Sequence, residues 1–201
     1  TFPSVNDRES KVRLVPVEGV FDRGKTRTNK AEALAVVEEI YRRFRDPELS
    51  KQSLGVVTFN ISQQHLIDDL LSEACAKDPE LEKWAYGCQE PLFIKNLENV
   101  QGDERDVILF SVGYGPDEQG KVYMNFGPLN RDGGWRRLNV AVSRARCEMM
   151  VFSALRPDQL DLNRTKAEGV AALRKFLDYA EGRTRALEAA EITGQSDADG
   201  I

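Results

Sequence analysis

Apolar runs of strand length alternate along the chain with segments whose apolar positions recur at helical spacing, the pattern of a parallel sheet covered by helices. KVRLVPV (11–17) reads as a first strand. Asn29, with Glu32 three residues on, predicts a capping box, the reciprocal arrangement that satisfies free amides at a helix start. Leu34, Val37, Ile40 and Phe44 then form one apolar stripe, and Asp46-Pro47 ends it. LGVVTF (54–59) is a β-branched strand, and a helix opening at Ser62 carries Leu66/Ile67, Leu70/Leu71 and Ala74/Cys75 at four-residue intervals. LFIKNL (92–97) and DVILFSV (106–112) are further strands around the polar loop 98–105. Segment 113–134, rich in glycine and proline, predicts a loop or irregular hairpin around KVYMNF. A helix over 135–146, a strand over 147–153 and a helix over 166–182 complete the pattern, which predicts one α/β domain over 1–182 and a polar, flexible tail over 183–201.

Composition narrows the function classes. The 201 residues are 41% hydrophobic, enough for one sheet-centred core. Neither a long apolar span nor a charged, then apolar, then small-residue leader occurs, so the chain reads as soluble and cytoplasmic, with no membrane partner. Its first residue, Thr1 rather than a methionine, reads as excision from a longer polypeptide. Cys75, Cys88 and Cys147 lack metal-ligand spacing and His65 stands alone, which argues against a zinc site or a disulfide framework. Each cysteine reads as a small buried or half-buried apolar residue, and His65 as a surface residue. No GxxxxGK[ST] loop and no strand-terminal acidic pair is present, so the chain is not a self-sufficient P-loop enzyme. Asp68-Asp69 belongs to a solvated acidic helix.

The net charge of −5 conceals one basic region. Segment 131–146 holds Arg131, Arg136, Arg137, Arg144 and Arg146 against Asp132. On a continuous helix Arg137 and Arg144, seven residues apart, share a face while Leu138, Ala141, Val142 and Ala145 pack toward the sheet. Two guanidiniums on one side suit phosphate recognition, because each offers a permanent charge and a planar fork of donors. A structural helix with salt-bridged arginines fits the same residues.

LENVQGDERDVILFSV (97–112) followed by RRLNVAVSRAR (136–146) resembles motifs V and VI of superfamily 1 helicases, in the branch of the nonsense-mediated-decay helicase and its bacterial relatives. GVVTFNISQ (55–63) resembles the preceding motif IV, and TRTNKAEALAVV (26–37) the family's entry into the same domain. The resemblance implies a RecA-like second motor domain, a parallel sheet with helices on both faces. ATP would lie between this domain and a first RecA-like domain of the same polypeptide, which would supply the phosphate loop and the Mg2+ ligands. Arg144 would be the arginine finger, with Arg137 a weaker candidate in the same cleft; Glu104 would contact the ribose or sense the nucleotide, and Gly102 would let the backbone turn beside it. Lys30 stands where the family often has a second phosphate-facing arginine; either Lys30 itself would serve there or Arg27 would substitute. Single-stranded DNA or RNA would be gripped from the opposite edge of the sheet by Thr58, Asn60 and Gln63, with Val100, Gln101 and Ser111. Trp84 and Trp135 read as packing residues. The competing readings are a non-catalytic helicase-like interaction module and a small flavodoxin-like or Rossmann-like binder with structural arginines.

Overall fold

The computed structural model describes the backbone of residues 11–196 and the side chains of residues 11–186. Five strands pair in the order β1-β5-β4-β2-β3, every pair parallel. They are β1 (Lys11–Pro16), β2 (Leu54–Thr58), β3 (Phe93–Asn96), β4 (Arg105–Ser111) and β5 (Ala145–Ser153). Side chains alternate across the pleat. Val57, Ile108, Phe110, Met149 and Val151 form one core with α4 (Gly134–Val142) and α5 (Glu168–Ser196). Leu54, Val56, Val107, Leu109 and Phe152 form the other with α1 (Lys30–Arg45), α2 (Ile61–Lys77) and α3 (Pro79–Tyr86). The result is an α/β fold, a parallel sheet with helices on both faces. Among the described residues, no helix is long and apolar enough to cross a membrane.

Local chemistry accounts for the departures from the sequence pattern. The helix α3 starts where Asp78 accepts from the Leu81 amide and Pro79 occupies the first turn. The α4 helix stops at Val142 rather than 146, because Ala145 already pairs with Arg105 in the sheet. The α5 helix continues past residue 182 through good helix formers to Ser196. Thr184, inside the expected tail, docks that helix on the edge strand: its hydroxyl accepts from the Leu14 amide at 2.7 Å, satisfying a donor the sheet leaves free. Residues 197–201 of the expected tail and residues 1–10 lie outside the described residues. Segment 121–126 (KVYMNF) forms no strand and leads into a single 3-10 turn, Gly127–Asn130.

The helices run antiparallel to the strands, and α1 shows what this does to the two sheet edges. Its first turn sits at the carboxyl ends of the strands, whereas Arg43, 2% exposed, reaches Glu148 near the start of β5 at 2.5 Å and Glu39 at 2.7 Å. On the other face the carbonyl of Leu129 is pressed against α5, and a Cβ added to Gly169 would lie 2.1 Å from that oxygen. Gly169→Ala is therefore expected to lower stability by about 1–3 kcal/mol through overpacking. A urea melt within about 0.5 kcal/mol of wild type would show that the contact relaxes without cost.

Candidate nucleotide half-site and nucleic-acid cleft

Motifs V and VI meet at the amino-terminal edge of the sheet. The backbone N–H of Arg105, the first residue of β4, donates to the Arg144 carbonyl at 3.2 Å. Arg144 occupies the turn between α4 and β5, not a helix face, so the seven-residue face shared with Arg137 does not exist. Its side chain instead folds back on α4: Nε donates to the Val140 carbonyl at 2.9 Å, satisfying a helix-terminal acceptor, and Nη2 donates to Ser143 Oγ at 3.0 Å. Nη1 lies 3.7 Å from Glu104 Oε1, with Arg144 18% and Glu104 54% exposed. One helical turn before Val140, Arg137 is half-buried and its Nη1 is buried without an acceptor. Gly102 is exposed with φ +89°, a conformation side chains disfavour. Arg146, two residues on, is committed elsewhere: it bridges Glu90 at 2.6 Å and Asp106 at 3.1 Å. Its hydrogen bond holds the Glu90 carboxyl below the usual carboxylate range.

At the opposite edge, most of the residues assigned to nucleic acid are interior. Thr58, Gln63 and Ser111 are fully buried. Gln63 clamps the backbone of Asn29, accepting its N–H at 2.9 Å and donating to its carbonyl at 3.0 Å, and also donates to Ser111 Oγ at 3.1 Å. Thr58 donates to the Asn60 carbonyl at 2.9 Å, and Val100 packs in the core. The Thr58, Gln63 and Ser111 side chains are held by the protein's own groups. Asn60, half-buried, caps α2 through the Gln63 amide at 2.8 Å; Gln101 is exposed.

The expected capping box forms only in part. Asn29 accepts from the Glu32 amide at 3.2 Å, but its own N–H goes to Gln63, and the Glu32 carboxylate turns inward. There it accepts from Gly113 N at 2.6 Å, Ala154 N at 2.8 Å and Ser111 Oγ at 2.9 Å, joining the loops that follow β4 and β5. Burial pushes its pKa up to about 7 against the opposing pull of those donors.

Lys30 and Arg27 are exposed at this edge. The nine residues of β5 separate it from the Arg144 edge, roughly 25–30 Å at strand rise. The structure thus brings Glu104, Gly102 and Arg144 to one edge and leaves Lys30 at the other. Beside Asn60 lies an open cleft of about 1000 Å³, floored by Phe59 and Tyr114 and walled by loops that carry Arg23, Lys25 and Tyr123. Sequence reading singled out none of these three, although the alternating cations of DRGKTR (22–27) carry a signal. Burial raises the Tyr114 hydroxyl to about 12.

Of the remaining expectations, His65 is exposed and Cys75 buried, whereas Cys88 and Cys147 are exposed rather than apolar filling. Trp84 packs on Phe44 with ring centroids 5.7 Å apart and donates to the Ser50 carbonyl at 2.9 Å.

Residues 4–156 match the family described as AAA domain. The uncharacterized ATP-dependent helicase MG140 of Mycoplasma genitalium is 34% identical over 187 residues, 90% of this chain and 16% of that protein. Its homolog in Mycoplasma pneumoniae is 34% identical over 170 residues, 82% of this chain and 14% of that protein. The chain thus spans about a sixth of the length of these relatives. Among solved structures, the C-terminal domain of a possible DNA helicase from Lactobacillus plantarum matches at a TM-score of 0.44 and 11% identity, over 74% of this chain and 77% of that one. With a family match over three quarters of its length, on a parallel five-stranded sheet, the chain belongs to this AAA-domain family.

Proposed function

We propose that the chain is one half of a two-domain, ATP-driven helicase motor working in the cytoplasm, which completes the ATP site between the domains with Arg144 and grips one nucleic-acid strand from the far edge of its sheet. The contact between Glu104 and Arg144 carries this reading. Arg144 rests on two neutral acceptors and one exposed carboxylate, none of them a buried bidentate partner. A triphosphate offers stronger, charge-assisted bonds and can draw the guanidinium away at small cost. Arg137, whose buried Nη1 lacks an acceptor among the described residues, would supply a second donor. Glu104, released from Arg144, is free to accept from a ribose hydroxyl. Gly102 lets the motif V backbone pass close to the nucleotide. Mg2+ would neutralise phosphate charge from ligands on the first domain. Among the described residues of this chain, no group of three His, Cys, Asp or Glu side chains could hold it.

Two preparations test the half-site. The chain alone is expected to show negligible ATP turnover, since it has no phosphate loop. The full polypeptide is expected to hydrolyse ATP and to do so faster with single-stranded DNA or RNA. Purified turnover by the chain alone would sink the half-site reading. A full polypeptide inert with both polymers would identify a non-catalytic interaction module instead.

A further inference from the structure

The groups free to meet a nucleic-acid strand are not the strand-end hydroxyls and amides but the walls of the open cleft beside them. One wall is the loop 22–28, closed at its base by the bridge between Phe21 and Asn29 and by Asp22 N donating to the Thr28 carbonyl at 3.0 Å. The Asp22 carboxylate fixes its interior by accepting from Lys25 N at 3.2 Å, Thr26 N at 3.2 Å and Thr26 Oγ at 3.0 Å. Arg27, at φ +58°, is the one non-glycine residue with positive φ among those described, held there by its amide's 2.7 Å bond to the Asp22 carbonyl. Backbone in that conformation persists where surrounding contacts over-determine it, and it concentrates at ligand-binding loops. The fixed acid turned inward leaves Arg23, Lys25 and Arg27, at alternate positions, all exposed.

Tyr123, half-buried, adjoins this loop, with the Arg23 guanidinium 3.9 Å and the Lys121 ammonium 4.8 Å from its ring centroid. Acids line the cleft too, Asp22, Glu98, Asp117 and Glu118, but the Asp22 carboxylate is turned onto its own loop and Asp117 onto the Gln119 and Lys121 amides. An aromatic ring among exposed cations is the arrangement that binds a single strand without regard to sequence, phosphates taking the cations and a base displacing a cation from the ring. The cleft lies at the carboxyl ends of parallel strands, where ligands of open α/β sheets collect. We propose that the loop 22–28 and Tyr123 are this domain's principal contact to a single-stranded polynucleotide, with Arg23, Lys25 and Arg27 on its phosphates and Tyr123 stacked under a base. This rests on the reading of the chain as a motor domain that grips a strand, and it replaces the buried Thr58, Gln63 and Ser111 as the gripping groups.

The test is anisotropy of fluorescein-labelled dT20 and U20 with the chain, in a salt series. Reversing the loop charges together (Arg23→Glu, Lys25→Glu, Arg27→Glu) is expected to weaken binding at least about tenfold and to flatten the log–log salt slope by about 2. Tyr123→Ala is expected to weaken it roughly 5- to 150-fold while leaving the slope unchanged. A charge-matched control on the α1–α3 face (Arg45→Glu, Lys77→Glu, Lys83→Glu) should stay within about threefold of wild type, since nothing there touches the strand. Circular dichroism melts confirm that each variant folds. If the loop reversal binds like the control while wild type binds tightly, the contact assignment is wrong and the grip survives elsewhere. If wild type binds neither oligonucleotide, the grip itself fails and takes the assignment with it. Competition by polyglutamate as strong as by unlabelled dT20 would identify an acidic protein surface as the occupant and overturn the proposal.

Discussion

Replacing Arg144 with alanine in the full polypeptide is expected to lower kcat for nucleic-acid-stimulated ATP hydrolysis by about 10³–10⁵, the range an arginine finger contributes. The large effect follows from when the charge is needed. The transferred phosphoryl gains its demand for positive charge in the transition state, so removing the guanidinium should depress kcat while changing KM much less. Arg144→Lys keeps the charge but loses the planar fork and the reach of Nε to Val140, and should recover only part of the rate. The substitution's structural cost is small, two neutral hydrogen bonds and a part-exposed ion pair, on the order of 1–2 kcal/mol. A stable variant with undiminished stimulated turnover would remove Arg144 from the chemistry and leave it as a cap on α4.

How far these sites were legible depends on which physical signal each residue carries. The strands stand out because Val, Ile and Leu alternate or run in blocks, and all five expected strands occur. The α3 helix was missed although Asp78-Pro79 announces it, since its acidic stretch carries only Leu81 and Ala85 as buried positions. Helical spacing from Leu138 to Ala145 is compatible with a helix to 146. Only the pairing of Ala145 with Arg105, a contact distant in sequence, ends it at Val142 and turns Arg144 back toward Glu104. The adjacency of Glu104 and Arg144 was readable from motif order, but not from periodicity. Polar identity alone separates two roles poorly: Thr58, Gln63 and Ser111 are polar at strand ends, as ligand contacts would be, and each also serves a buried neighbour, Gln63 the Asn29 backbone, Thr58 the Asn60 carbonyl and Ser111 the Glu32 carboxylate. Lys30 illustrates the converse: a motif match says nothing of which sheet edge the residue occupies, and the antiparallel run of α1 decides that.

Glu32→Gln is expected to destabilise the domain strongly at pH 5 and much less at pH 8. In the folded chain Oε1 accepts from Ala154 N, and Oε2 accepts from Gly113 N and Ser111 Oγ. A glutamine has one acceptor oxygen, so its NH2 must face a backbone N–H that then lies buried and unpaired, costing about 1–3 kcal/mol. That cost is the same at both pH values; the wild-type reference is not. The folded carboxyl has its pKa raised by burial to about 7 from its ordinary value of 4.5. Between those values the folded state binds the proton more tightly than the unfolded chain. Stability from this group is therefore full below about pH 4.5, falls as pH rises to about 7 and is flat above it, a total change on the order of 3 kcal/mol. Glutamine does not titrate, so subtracting its melts from wild type isolates this one group from carboxylates such as Glu90, whose lowered pKa gives the opposite slope. The variant's deficit should shrink between pH 5 and pH 8 by up to that amount. A deficit equal at both pH values would mean that the two amides and the hydroxyl hold Glu32 ionised across the whole range, with hydrogen bonding outweighing burial at the junction of α1, β4 and β5.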